Sequence, residues 1–274
     1  GFVFAIAPFN FTSIAGNLPG APALMGNVSI WKPASSAILA CHYLLEMLKE
    51  AGLPDGVINF LPGDGRTIGD SILNNSNLAG VHFTGSTSTF NHIWKTIGSN
   101  IHKYKTYPRI VGETGGKDFC LAHNSCDIDV LVTAMIRGAF EYQGQKCSAM
   151  SRTYIPKSIW PSVEQKLMNE VKKIKVGSPK DTSNFMNAVI DKNAFDNIVK
   201  YIDYAENRED AETIYGGNFD DSEGYFIEPT IIHTSNPRFK TMVEEIFGPV
   251  LTIFVFDDED WEQTINLVDN TSNY

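Results

Sequence analysis

The stretch that decides the fold is Gly80-Val-His-Phe-Thr-Gly-Ser-Thr87. Its apolar residues predict a short buried strand over Gly80 to Phe83, and Gly85 lets the backbone turn where the strand ends. Ser86 and Thr87 then offer hydroxyl and amide groups at the start of a helix, an arrangement that can bind an anion such as a pyrophosphate. Taken alone, the segment favours a simpler interpretation, a capped helix without a ligand.

Strand and helix signals alternate around this turn. Apolar runs predict strands over 2–7, 28–32 and 57–61. Helical spacing predicts a helix that Ser35 or Ser36 caps and that ends at Gly52, and a short helix from Thr67 to Leu73. An apolar stretch from Ile14 to Met25 predicts a helix interrupted by Pro19, Gly20 and Pro22. Such alternation at short spacing is typical of a parallel sheet covered by helices on both faces.

The pattern changes after Lys117, where a second set of elements begins. Helices are predicted over about 127–142, 159–175, 193–206 and 238–243, and extended segments over 152–155, 225–233 and 250–256. We therefore predict an α/β protein with two lobes, residues 1–115 and 116–274, joined near residues 112 to 118. The sequence begins without a methionine, directly at a predicted buried strand, and it ends without a signal that terminates a helix or strand. We therefore expect a central piece of a longer chain, truncated at both ends.

Composition excludes several classes of function. The 274 residues carry a net charge of −10, which argues against a nucleic-acid partner because phosphate backbones bind positive surfaces. No apolar run approaches the roughly 20 residues of a membrane helix, so no membrane partner is expected. Four cysteines are too few for a disulfide scaffold of this size, which favours reduced thiols inside a cell.

Cys147 is the candidate nucleophile among these thiols. It lies in Gln143-Gly-Gln-Lys-Cys147-Ser, a polar turn after a predicted helix, and the neighbouring Lys146 is a cation of the kind that favours a thiolate. Cys41 lies instead within an amphipathic helix and fits a buried structural thiol. On spacing alone, a structural role for Cys147 stays open.

Two further motifs imitate functional sites. Gly63-Asp-Gly-Arg-Thr-Ile-Gly69 resembles the dinucleotide fingerprint G-x-G-x-x-G, but its third glycine comes one residue late, so a glycine-rich turn is the simpler interpretation. Cys120, His123 and Cys126 have metal-ligand spacing, yet they supply three ligands where a structural zinc site takes four. We therefore predict no metal.

Six motifs occur in one order along the chain, and together they resemble the NAD(P)-dependent aldehyde dehydrogenase superfamily. The resemblance spans nearly the whole sequence. Finer features, Phe9 to Leu18, Gly144 to Ala149 and Thr114, resemble the branch that oxidises glutamate semialdehyde. The six motifs are Pro8-Phe-Asn-Phe11, Trp31-Lys-Pro-Ala-Ser35, Phe83-Thr-Gly-Ser-Thr87, Gly112-Glu-Thr-Gly-Gly-Lys117, Gly144-Gln-Lys-Cys147 and Glu244-Glu-Ile-Phe-Gly-Pro-Val250.

The resemblance implies three catalytic roles. Cys147 corresponds to the nucleophile, whose thiolate forms a thiohemiacetal and then a thioester. Asn10 corresponds to the side-chain donor that stabilises the oxyanion. Glu113 corresponds to the base that activates water for thioester hydrolysis, although alone it would be taken for an ordinary carboxylate in a turn.

Cofactor and substrate contacts are implied in the same way. Lys32 corresponds to a ligand of the adenosine ribose, Gly85 and Ser86 to the pyrophosphate turn, Glu245 to a ligand of the nicotinamide ribose and Phe247 to the ring beside the nicotinamide. The Gly63–Gly69 motif is expected to line the adenine side. The expected cofactor is NAD, although Lys32 could equally pair with the 2′-phosphate of NADP. Ser148 is implied to contact the substrate carboxylate, and Phe11 to form an apolar wall of the substrate tunnel.

The resemblance also implies the fold and the overall reaction. We expect two Rossmann-like lobes, an NAD-binding domain over 1–115 and a catalytic domain over 116–274. The implied reaction is the NAD-dependent oxidation of L-glutamate 5-semialdehyde to L-glutamate in proline catabolism. The resemblance also implies a homo-oligomer, dimeric or larger. Its expected location is the mitochondrial matrix in a eukaryote and the cytoplasm in a prokaryote. An aldehyde dehydrogenase of other specificity and a catalytically silent NAD-binding protein remain open alternatives.

Overall fold

Two units divide the chain in a computed structural model that describes residues 1–274, and the division falls between Gly115 and Gly116. The first unit contains five strands and four α-helices. Its strands are β1 (Phe2–Ile6), β2 (Ser29–Lys32), β3 (Ile58–Phe60), β4 (Leu78–Thr84) and β5 (Arg109–Glu113), and its helices are α1 (Thr12–Leu24), α2 (Ile38–Glu50), α3 (Gly65–Leu73) and α4 (Thr87–Ser99). Short 3-10 helices cover Ser35–Ala37 and Ile101–Lys103.

The five strands form one parallel sheet in the order β3-β2-β1-β4-β5. Successive residues of β1 enter different cores, because side chains alternate across a strand. Phe4 packs with Phe83 and Ile93 on one face, and Ala5 packs with Trp31 on the other. Both faces are therefore covered, as the alternation of strand and helix signals predicted.

Two helices of this unit differ from the sequence-based prediction. Helix α1 runs without interruption through Pro19 and Pro22. Pro22 lacks the N–H that the carbonyl of Leu18 would accept in a regular helix, and His82 Nδ1 donates to that carbonyl instead, at 2.9 Å. Helix α2 also has no side-chain cap, because Ser35 belongs to a separate 3-10 turn that precedes the helix.

The second unit contains seven strands and five α-helices. Its strands are β6 (Phe119–Leu121), β7 (Arg152–Pro156), β8 (Ala211–Tyr215), β9 (Phe219–Asp220), β10 (Phe226–Ile227), β11 (Thr230–Thr234) and β12 (Val250–Phe256), and its helices are α5 (Ile128–Phe140), α6 (Trp160–Val171), α7 (Lys192–Glu206), α8 (Lys240–Val243) and α9 (Trp261–Thr271). Short 3-10 helices cover Glu141–Gly144 and Asp258–Asp260.

The main sheet of the second unit has the order β6-β7-β12-β11-β8. Four strands are parallel, and β8 joins the edge antiparallel to β11. Neighbouring residues again serve opposite faces, since Ile231 lies in one core and Ile232 in the other. The predicted α/β class with two parallel-sheet lobes is confirmed, with β8 as an antiparallel addition at one edge. None of the helices has the length and apolarity that a bilayer crossing requires.

Candidate active site

A cavity of about 960 Å³ lies in the first unit. It opens beside the carboxyl end of β2 and the N-terminal turns of α3 and α4, where backbone N–H groups point outward and favour an anionic ligand. Its lining combines apolar side chains with charged and hydroxyl groups. The lining residues are Phe4, Ile6, Lys32, Asp64, Gly65, Arg66, Gly69, Asp70, Leu73, Ser88, Thr89, His92 and Ile93.

Lys32 is the predicted cofactor residue that lines this cavity. Its side chain is buried, and its Nζ donates to the carbonyl of Pro33 at 2.9 Å. Burial lowers the pKa of the Lys32 ammonium, and the nearby Asp64 carboxylate opposes that shift. Lys32 thus retains two donor positions on Nζ beside a cavity that can accept a sugar or a phosphate.

The imperfect fingerprint Gly63–Gly69 forms the start of α3 rather than a separate phosphate loop. Asp64 caps the helix, because its Oδ1 accepts from the Thr67 N–H at 2.8 Å. Gly65, Arg66 and Gly69 line the cavity. This is compatible with the adenine-side position that the family resemblance implied.

Ser86 is the N-cap of α4, and its Oγ accepts from the Thr89 N–H at 3.3 Å. Gly85 and Ser86 do not line the cavity, whereas Ser88 and Thr89 from the first turn of α4 do. Ser88 and Thr89 were not predicted as site residues, although they directly follow the motif Phe83–Thr87. The pyrophosphate role of Gly85 and Ser86 stays a prediction.

The other predicted residues of the first unit lie outside this cavity. Asn10 is half-buried in the connection between β1 and α1, and Phe11 is the N-cap residue of α1. Glu113 is exposed at the last position of β5, paired in register with Thr84 of β4, rather than in the turn that the sequence suggested. Four of the five β5 residues are exposed, so the strand lacks the apolar pattern that would have predicted it.

Cys147 follows a loop with an unusual backbone. Helix α5 ends at Phe140, and the next residues include three in succession with positive φ: Tyr142 at 55°, Gln143 at 57° and Gly144 at 65°. Cys147 is half-buried, and Ser148 beside it is exposed. We call residues 141–149 the cysteine loop.

The cation expected to favour the Cys147 thiolate has a carboxylate partner. Lys146 Nζ lies 2.5 Å from Glu141 Oε2, and Arg137 contacts the other oxygen of the same carboxylate at 2.5 Å. The positive charge of Lys146 is therefore shared with Glu141 within the cysteine loop, which weakens the argument that Lys146 alone activates the thiol.

Two close backbone approaches fix the cysteine loop in the second unit. A Cβ atom added to Gly116 would lie 2.1 Å from the carbonyl oxygen of Cys147. A Cβ atom added to Gly144 would lie 2.3 Å from the carbonyl oxygen of Gly248. Only glycine permits these approaches, so larger residues at either position would displace the loop.

Glu245 shares the contact at Gly116. Its Oε1 accepts from the Gly116 N–H at 3.0 Å, and burial raises the pKa of the Glu245 carboxyl against the opposing effects of this bond and of Lys117. Phe247, two residues later, has φ 58°, a conformation that is uncommon for a bulky residue. Gly116 therefore bonds the side chain of Glu245, the predicted nicotinamide-ribose ligand, and lies against the backbone of Cys147, the predicted nucleophile.

Lys117 is a buried basic residue for which the sequence indicated no individual role. Its side chain is 2% exposed, and no hydrogen-bond acceptor reaches its Nζ. Burial, with the positive charge of Arg152, lowers the pKa of Lys117 to about 7, while Glu245 and Glu244 oppose the shift. The motif Gly112–Lys117 included this residue, but sequence alone did not indicate its burial.

The metal-like spacing of Cys120, His123 and Cys126 has a local structural explanation. His123 Nδ1 lies 2.7 Å from Ser125 Oγ, and the ring packs edge-on against Trp261. Burial raises the pKa of the Cys120 thiol, and both cysteines pack against the apolar core. No three His, Cys, Asp or Glu side chains are grouped in a way that could hold a metal ion.

Comparison with known proteins defines the class. The chain matches the aldehyde dehydrogenase family over residues 1–274 and belongs to that family, which confirms the resemblance found in the sequence. It is 56% identical over 276 residues to the mitochondrial delta-1-pyrroline-5-carboxylate dehydrogenase of Dictyostelium discoideum and 48% identical over 275 residues to the human mitochondrial enzyme of that name. These alignments cover 100% of this chain and 50% and 49% of the two relatives. The chain therefore spans about half the length of the curated relatives that it matches.

A solved structure shows the same relationship. The delta-pyrroline-5-carboxylate dehydrogenase of Mycobacterium tuberculosis, bound with NAD, superposes with a TM-score of 0.95 at 50% sequence identity. The alignment covers 100% of this chain and 50% of that one. A betaine aldehyde dehydrogenase from Staphylococcus aureus, at 33% identity, gives a TM-score of 0.90. The fold is thus shared beyond one substrate class.

Proposed function

We propose that the protein oxidises L-glutamate 5-semialdehyde, formed from Δ1-pyrroline-5-carboxylate, to L-glutamate in proline catabolism. The observation that carries this proposal is the similarity to the delta-pyrroline-5-carboxylate dehydrogenase of Mycobacterium tuberculosis. That enzyme is 50% identical over the whole of this chain and superposes with a TM-score of 0.95. The betaine aldehyde dehydrogenase shares the fold at only 33% identity, so the higher identity supports this substrate over other aldehydes.

We further propose NAD as the cofactor. The cavity of about 960 Å³ in the first unit has room for a nucleotide, and it offers the Lys32 ammonium together with residues from the N-terminal turns of α3 and α4. Glu245 in the second unit has a half-buried carboxylate that can accept from ribose hydroxyls. Gly85, Ser86 and Phe247 complete the proposed contacts. When bound, NAD supplies the hydride acceptor.

The residues of the chain would divide the remaining chemistry among them. The Cys147 thiolate forms a bond to the aldehyde carbon, and the side-chain amide of Asn10 stabilises the resulting oxyanion. Loss of hydride from this thiohemiacetal leaves a thioester on Cys147. Glu113 accepts a proton from the water that attacks the thioester, which releases glutamate and regenerates the thiol. Ser148 would contact the substrate carboxylate, and Phe11 would form an apolar wall beside it.

In this scheme, residues 1–115 form the nucleotide-binding domain and residues 116–274 the catalytic domain. Several eukaryotic relatives are named as mitochondrial. This supports a mitochondrial location in a eukaryote, where we place the reaction in the matrix, and in a prokaryote we place it in the cytoplasm. A homo-oligomer of the complete protein, dimeric or larger, is also part of the proposal.

The experiment compares two aldehydes in the complete natural protein. We expect kcat/KM with NAD to be much higher for glutamate semialdehyde than for a neutral aldehyde of equal length, and we expect Cys147→Ser to abolish turnover while NAD still binds. A clear preference for the neutral aldehyde would refute the substrate. Turnover by Cys147→Ser close to the wild-type rate would refute the nucleophile, and absence of activity on both aldehydes in the wild type would indicate a silent protein.

A further inference from the structure

The backbone of the cysteine loop needs an external restraint. Tyr142 and Gln143 have φ of 55° and 57°, and a left-handed conformation costs a residue with a side chain about 1–2 kcal/mol. Such strain persists only where surrounding contacts hold the residue in place. Residues that supply those contacts would also determine where Cys147 lies, because it follows Gly144 by only three positions.

Gln143 supplies a two-point contact. Its side chain is 4% exposed. The Nε2 donates to the carbonyl of Ala188 at 3.2 Å, and the Oε1 accepts from the N–H of Asn187 at 3.0 Å. One side-chain amide therefore pairs with the backbone of two consecutive residues.

Gln145 extends the same contact along the chain. Its side chain is 2% exposed, and its Oε1 accepts from the N–H of Ile190 at 2.9 Å. Its Nε2 lies 3.4 Å from the carbonyl of Tyr142, so it also ties the loop to itself. Two buried amides, two residues apart in sequence, thus fasten the loop to the segment 187–190.

That segment is itself fixed within the second unit. Asn187 Nδ2 donates to the carbonyl of Gly177 at 2.9 Å, and the N–H of Val189 donates to the carbonyl of Tyr225 at 2.9 Å. Val189 is 3% exposed and belongs to the apolar core with Phe195 and Ile227. The glutamines therefore attach the cysteine loop to a part of the protein that packing already holds rigid.

We propose that Gln143 and Gln145 are positioning residues for Cys147, which hold the strained cysteine loop by pairing their amides with the backbone of residues 187–190. This inference rests on the proposed role of Cys147 as nucleophile. Neither glutamine is given a part in bond making. They hold the Cys147 thiol in the position from which it can attack the aldehyde carbon. A displacement of a reacting group by about 1 Å can lower the rate up to about 100-fold.

The test replaces each amide by an apolar side chain of similar length, in Gln143→Met and Gln145→Met. In the complete natural protein we expect kcat to fall at least about 10-fold and the KM for NAD to change far less than kcat, because Lys32 lies in the other unit and the amides of Gln143 and Gln145 pair with residues 187–190. Gln165→Met is the matched control, since Gln165 is exposed on α6, and should leave both constants unchanged.

A second measurement separates local displacement from general loosening. Iodoacetamide labelling followed by peptide mapping gives the alkylation rate of each thiol, and Cys120 and Cys126 are internal references that pack against the core. We expect the rate at Cys147 to change several-fold in the two Met variants while the rates at Cys120 and Cys126 stay constant. An unchanged rate at Cys147, or an equal acceleration of all three thiols, would overturn the proposal.

The two proposals can fail separately. If Cys147→Ser keeps turnover but the Met variants change the labelling of Cys147 alone, the glutamines position a cysteine that is not the nucleophile, and the proposed catalytic role of Cys147 fails. If Cys147→Ser is inactive but the Met variants leave kcat and labelling unchanged, the positioning role fails while the proposed function stands.

Discussion

Replacing Lys117 by methionine should remove a specific dependence of stability on pH. The ammonium is buried without a hydrogen-bond acceptor, and its pKa falls from 10.5 to about 7 in the folded protein. Between these two values the unfolded chain binds a proton that the folded chain does not, so the free energy of unfolding rises as the pH increases. Methionine has a similar length and no charge, and it should eliminate this contribution.

The magnitude follows from the two pKa values. For one group that titrates at 10.5 unfolded and at about 7 folded, the free energy of unfolding gains about 3 kcal/mol between about pH 7 and pH 9.5. Other groups titrate in the same range, so the quantity to measure is the difference between the wild type and Lys117→Met. Urea unfolding at both pH values should show that the advantage of the variant shrinks by about this amount.

A matched variant makes the test specific. Lys172 is exposed after α6, and Lys172→Met should follow the wild type at both pH values. If the difference in free energy of unfolding between Lys117→Met and the wild type is the same at pH 7 and pH 9.5, Lys117 keeps its proton in the folded protein. Burial would then not lower the pKa of Lys117 as described.

Two further predictions concern the pieces that build the site. Asp64→Ala removes the cap of α3 and should lower the free energy of unfolding by about 1 kcal/mol in urea titrations. Asp55 is exposed, and Asp55→Ala should leave the free energy of unfolding unchanged. Equal stabilities of the two variants would contradict the capping role. Gly116→Ala brings a methyl group to 2.1 Å from the Cys147 carbonyl oxygen and should lower kcat at least about 10-fold. A methyl group at Gly98 meets no atom within 4 Å, so Gly98→Ala should retain the wild-type kcat. Wild-type turnover by Gly116→Ala would show that the cysteine loop tolerates displacement.

The fold was accessible from sequence because the strands of the sheets are buried on both faces. Runs such as Val250 to Phe256 carry that burial directly in their apolar residues. Strand β5 was missed for the opposite reason, since most of its residues are exposed at the sheet edge. The uninterrupted helix α1 could not be foreseen either, because His82, far away in sequence, satisfies the carbonyl that Pro22 leaves free.

Motifs in the sequence were enough to name candidate site residues, but the contacts that support these residues could not be predicted from the sequence. Lys32 lines the cavity where a nucleotide ligand was expected. The burial of Lys117 and the amide pairing of Gln143 depend on residues that approach only after folding, such as Arg152 and Asn187. No local pattern in the sequence records such contacts.

In the proposed mechanism, Cys147 carries the acyl intermediate and Glu113 promotes its hydrolysis. The most direct measurement is peptide mapping of Glu113→Gln, in the complete natural protein, after mixing with NAD and glutamate semialdehyde. Glutamine keeps the shape of the side chain but cannot accept the proton, so one burst of NADH should accompany an acyl adduct on Cys147, and hydroxylamine should restore turnover. A variant with no burst, no adduct on Cys147 and no rescue by hydroxylamine would contradict the account.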